Sequence, residues 1–71
     1  MKWVEYFNSK QHILYNDYDV PVADITLGRM RENSYYARVY GAAKPASEYF
    51  KLDELEEAKA WVLVTYKLLK S

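Results

Sequence analysis

Within this 71-residue chain one segment repeats its apolar residues at the spacing of a helix, and what precedes it has to supply the surface that helix packs on. The spacing predicts a helix from Asp53 to about Lys70, uninterrupted by glycine or proline. Asp53 stands as N-cap with Glu56 three residues on, the spacing of a capping box. Glu54, Glu56 and Glu57 crowd the first turns while Lys67 and Lys70 close the last, both matching the helix dipole. At 100° per residue, Leu55, Ala58, Val62, Tyr66 and Leu69 fall within about 80° of one another and form a core stripe. Trp61, Val64 and Leu68 widen the apolar arc to roughly 200°. The polar side keeps Glu56, Lys59, Lys67 and Lys70, interrupted by Leu63. One small sheet covers only part of such an arc. Either Trp61 folds over the sheet edge and Val64 stays exposed, or Trp61, Val64 and Leu68 form a protein contact, a homodimer through the helix included.

Before the helix, short apolar and aromatic runs alternate with turn residues, the pattern of strands. Lys2 to Phe7 places Trp3, Glu5 and Phe7 on one face and Lys2, Val4 and Tyr6 on the other. Asn8-Ser9-Lys10 reads as a turn, His12 to Tyr15 as a second strand, and Asn16-Asp17 as its end. Tyr18 to Leu27 changes phase near Pro21–Ala23, which points to a bulge or two short segments, with Pro21 favouring an edge. Gly28 to Asn33 is a polar hairpin tip. Ser34 to Tyr40 alternates most regularly, with Tyr35, Ala37 and Val39 opposite Tyr36, Arg38 and Tyr40. Ala37 between larger neighbours suits a close helix crossing. Gly41 to Ser47 reads as a loop. The expectation is one α+β domain over 1–71, an antiparallel three- to four-stranded sheet packed against one C-terminal helix.

Composition narrows the function classes. A chain this short buries only about 60% of its unfolded surface, so its core is small. No cysteine is present for disulfides or thiolate metal sites, and two glycines cannot build a Gly-rich phosphate cradle. No apolar run suits a bilayer span or the core of a signal peptide, so the expected location is the cytoplasm, the host's if the chain is phage-encoded. The net charge of zero conceals a partition: residues 1–24 carry −2, residues 25–51 carry +3 and residues 52–71 carry −1. The central excess forms a basic zone at Arg29, Arg31 and Lys44, thin beside the many phosphate contacts of nucleic-acid binders.

Chemistry is sparse. His12 is the one histidine and has no metal-ligand spacing around it. No serine sits in a nucleophile motif. Asp17, Asp19 and Asp24 can draw together around a cation, though Asp17-Tyr18-Asp19 lacks the form of an EF-hand loop. The residues predict no catalysis, no metal and no cofactor. Eight tyrosines are more than a two-layer core can hold, and tyrosine suits binding surfaces because it joins contact area to a polar tip. Tyr36, Arg38 and Tyr40 are the most specific constellation, two aromatics flanking a guanidinium. Such a face suits a protein hot spot, stacked bases with their phosphates, or a solvated sheet face with paired rings.

The run Tyr35-Tyr36-Ala37-Arg38-Val39-Tyr40, then Phe50, then Glu57-Ala58-Lys59-Ala60-Trp61, resembles the arm-type DNA-binding domain of tyrosine recombinases. That resemblance implies three strands and a C-terminal helix, with Tyr36, Arg38 and Tyr40 on a sheet face that enters the major groove. Tyr49 stands where that family usually has glycine. In size and aromatic richness the chain is also similar to small phage-encoded proteins that bind and inhibit a host protein. The leading expectation is a non-enzymatic protein-binding module, an inhibitor or modulator of a host enzyme or defence system. The alternative is a small DNA-binding module using its sheet face.

Overall fold

Side-chain alternation divides the chain into a sheet with two unlike faces, and one helix covers one of them. The computed structural model describes residues 1–28, 33–41 and 45–70. Five strands precede the helix: β1 (Lys2–Tyr6), β2 (Gln11–Tyr15), β3 (Pro21–Leu27), β4 (Ser34–Val39) and β5 (Ala46–Lys51). Helix α1 spans Leu55–Lys70. Each strand lies antiparallel beside its sequence neighbour, in the order β1-β2-β3-β4-β5. Helix α1 packs on β3, β4 and β5.

The core forms where small residues let helix and sheet approach. Ala23, Ile25, Ala37 and Val39 of the sheet, with Leu14 beside them, meet Ala58 and Val62 of α1, and all seven are buried. Ala37 is fully buried beneath the helix, as its place between larger neighbours predicts. Larger side chains close the margins. The Phe50 and Trp61 rings lie 5.8 Å apart on the β5 side. On the far side the Lys59 ammonium sits 5.6 Å from the centre of the Trp3 ring. Lys59 and Leu63, read from the sequence as polar face and interruption, therefore lean toward the sheet, while Leu69 is 49% exposed.

The sheet has five strands rather than three or four. Strand β5 was hidden because Ala46-Ser47-Glu48-Tyr49-Phe50-Lys51 contains no β-branched residue and directly follows Pro45. The loop predicted over Gly41 to Ser47 thus ends at Pro45, and its residues 42–44 lie outside the described residues. The phase change near Pro21 is a β-bulge: Leu14 opposes Ala23 and Tyr15 opposes Pro21, leaving Val22 as the extra residue. Pro21 opens a central strand, not an edge one, and being first in the strand it removes no interior ladder bond.

Local chemistry sets the turns. Phe7, Asn8 and Ser9 all have positive φ (55°, 55° and 69°), and the Lys10 amide closes that turn on the Phe7 carbonyl at 3.1 Å. Gly28, at φ 72°, starts the β3–β4 connection, and its amide donates to the Ser34 carbonyl at 3.0 Å. The helix begins two residues later than predicted. Asp53 lies in a turn, and the Glu54 carbonyl accepts the first helical bond from the Ala58 amide at 2.9 Å. The Glu54 carboxylate meanwhile reaches back to the Lys51 amide at 2.8 Å. Among the described residues no helix is long and apolar enough to cross a membrane.

Close helix–sheet approach at Ala37 generates a direct test. Ala37→Leu forces extra volume beneath α1 and is expected to destabilise by about 1–3 kcal/mol in urea denaturation. The exposed control Ala60→Gln is expected to stay within about 0.5 kcal/mol.

Candidate functional site

The face turned away from α1 is built from alternate residues of all five strands. One cross-strand row runs Tyr6–Gln11–Thr26–Tyr36–Tyr49, and the next runs Val4–Ile13–Asp24–Arg38–Ser47. With Tyr15 and Tyr40, five of the eight tyrosines belong to this open face. Tyr36 and Tyr49 lie directly opposite on β4 and β5, their rings 5.0 Å apart and inclined at 42°. Cross-strand aromatic pairs of this kind stiffen a sheet and present a broad, low-entropy contact area.

At the centre of the face lies a buried charge. Asp24 is only 2% exposed although it points away from the helix. Arg38 opposite it donates through Nη2 to Oδ2 at 2.8 Å and through Nε to Oδ1 at 3.3 Å. The Tyr40 hydroxyl donates to the same Oδ2 at 2.7 Å. The Arg38 guanidinium carbon also sits 5.7 Å from the centre of the Tyr40 ring. The hydrogen bond to Asp24 raises the Arg38 pKa above its ordinary value, burial opposes it, and the Asp24 charge adds to the rise. The guanidinium is thus permanently charged and held in one plane by a bidentate pair. The cluster is neutral overall, and it fixes Tyr40 as well as Arg38.

A second feature lies toward β1. Tyr6 and Tyr15 flank the Val4–Ile13 pair diagonally, and their hydroxyls meet at 2.8 Å. They border a groove of about 260 Å³ lined also by Lys2, Val4 and Asp19. The Tyr6 hydrogen bond raises the Tyr15 pKa above 10.0. Two outward amides of the β5 edge are already taken. The Tyr49 amide donates to the Glu48 carboxylate at 3.0 Å and the Lys51 amide to Glu54, so the chain's own carboxylates occupy donors that an added strand would need.

The structure brings Tyr36, Arg38 and Tyr40 together, as alternation predicts, and places Trp61, Val64 and Leu68 on the helix instead. Trp61 is half-buried against Phe50, whereas Val64 is 59% and Leu68 70% exposed. Arg29, Arg31 and Lys44 of the expected basic zone lie outside the described residues. The possible acidic cation site is not formed: Asp24 pairs with Arg38, Asp19 lies 3.6 Å from Lys2, and Asp17 accepts from the Met1 amino group. Among the described residues no three His, Asp or Glu side chains come together to hold a metal. His12 is buried on the helix side, its Nε2 3.1 Å from the Ser9 carbonyl and its ring edge-on to Tyr35. Sequence reasoning missed Asp24, Tyr6, Tyr15 and Tyr49 as parts of the face. Asp24 carried a signal, a lone charge between Ala23 and Ile25 in a strand; Tyr49 carried none until β5 was known.

Two outcomes test this site. Asp24→Asn leaves Arg38 without its counter-charge and is expected to cost about 3 kcal/mol, the low end for a buried pair because Arg38 is 27% exposed. Asp24→Leu/Arg38→Leu is expected to recover most of that loss in the same denaturation assay. For Tyr15, a raised folded pKa contributes stability that is complete below the unfolded value of 10.0 and is lost as pH rises through the folded one. Spectrophotometric titration of the chain against Tyr6→Phe is expected to show the Tyr15 transition move back toward 10.0 in the variant. Comparison with protein-family models, with curated proteins and with solved structures finds no match to this chain.

Proposed function

We propose that this chain is a non-enzymatic protein-binding module whose recognition surface is the tyrosine face of its sheet. The observation that carries this reading is the pairing of an uncovered aromatic face with an internally neutralised arginine. Tyr6, Tyr36, Tyr40 and Tyr49 offer rigid contact area with polar tips, the side-chain type enriched in binding hot spots. Arg38, the cation at the centre of that face, is already bound to Asp24 through two of its donors. A phosphate backbone draws its affinity from unpaired cations, so the neutral cluster favours a protein surface over DNA. The absence of a nucleophile motif and the burial of His12 on the opposite side support a non-catalytic role. The likeness to small phage proteins extends the proposal to its target class, a host enzyme or defence protein that the module inhibits or modulates.

The experiment is affinity capture from host extract on the immobilised chain, followed by calorimetry with the captured protein. Tyr36→Ala and Tyr49→Ala are each expected to lower affinity by roughly tenfold or more while the far-ultraviolet dichroism stays unchanged. A salt-titrated gel shift on duplex and single-stranded DNA is expected to show no complex at low salt. A complex that weakens steeply with salt and disappears in Arg38→Ala would replace this reading with the DNA-binding one.

A further inference from the structure

A different surface, independent of the tyrosine face, has the geometry of a self-complementary contact. Glu57, Trp61, Val64 and Leu68 recur along α1 at alternating four- and three-residue intervals, the spacing of a coiled-coil seam. This seam turns away from the residues that Ala58 and Val62 bury and runs beyond the β5 side, where Trp61 rests on Phe50. Val64 and Leu68, its outer members, are 59% and 70% exposed. We infer that two copies of this chain associate through α1 as an antiparallel, isologous helix pair.

Charge identifies the occupant as a second copy. Glu56 and Glu57 lie exposed near the start of the helix and Lys67 lies exposed near its end. A two-fold axis passing between Trp61 and Val64 sets Trp61 of each copy against Val64 of the other. With a rise of about 1.5 Å per residue, Glu56 and Glu57 then come within roughly 3 Å, along the axis, of the partner copy's Lys67. Glu56 and Lys67 also share one flank of the seam, and the two-fold brings like flanks together. Each pairing occurs twice, and antiparallel helices align their dipoles favourably. A parallel pair would stack acid on acid and base on base. Strand addition between copies at β5 is disfavoured by the carboxylate-capped amides of Tyr49 and Lys51.

Sedimentation equilibrium of the full chain from low micromolar to submillimolar concentration tests the inference. The expected result is a monomer–dimer equilibrium. Leu68→Glu raises the dimer dissociation constant at least about tenfold while the exposed position leaves the dichroism spectrum intact. Glu57→Lys weakens the dimer several-fold, and adding Lys67→Glu restores it. A monomer throughout the range overturns the inference, and so does a dimer indifferent to Leu68→Glu. A double charge variant no tighter than Glu57→Lys alone overturns the antiparallel order.

Discussion

One helix can cover one face of a sheet, and the described residues form one helix for five strands. That constraint governs the rest of the molecule. The covered face is solved by shape: Ala23, Ala37 and Ala58 bring α1 close enough for Ile25, Val39 and Val62 to fill a small dry core. The opposite face, which no second layer covers among the described residues, has to be stable in water. It uses paired rings, two tyrosine hydroxyls bonded to one another, and a carboxylate buried under an arginine and a tyrosine. These devices replace aliphatic packing with groups whose outer ends are polar. The result is a stiff aromatic surface, which is also what a protein-recognition surface requires.

Much of this arrangement was legible in the chain because alternation survives wherever a strand has one dry face. The division of Tyr35, Ala37 and Val39 from Tyr36, Arg38 and Tyr40 is found as read, and so is the close crossing at Ala37; of the two readings of the phase change near Pro21, a bulge or two short segments, the bulge is the one found. Strand β5 was not legible, since Ala46 to Lys51 holds no β-branched residue and directly follows a proline. The start of the helix was misplaced because Asp53 has the side chain of a cap, but Glu54 satisfies the backbone of Lys51 and so fixes the turn first. The role of Asp24 was hidden for a third reason. Its partner lies fourteen residues away, and only the β3–β4 register, with Asp24 opposite Arg38, brings them together.

The candidate site illustrates why residue type alone overstates a charge. Tyr36, Arg38 and Tyr40 read as two aromatics flanking a guanidinium, yet in the folded chain Asp24 accepts from the guanidinium and the Tyr40 hydroxyl together. The arginine becomes a strut that orients the surface. The helix shows the converse. Its apolar arc is wider than the sheet, and the excess is displaced to the β5 side, where Trp61 bridges core and solvent. A dimer through that side would leave both tyrosine faces outward, giving two-site engagement of a repetitive or dimeric target a large gain in avidity.

The central claim is that recognition belongs to the tyrosine face and not to the helix. Hydroxyl-radical footprinting of side chains, with and without the captured protein, addresses it most directly. The account predicts that Tyr6, Tyr36 and Tyr49 lose reactivity on binding while Val64 and Leu68 keep the reactivity they show in the unbound protein. Protection at Val64 and Leu68 with the three tyrosines unchanged would contradict it.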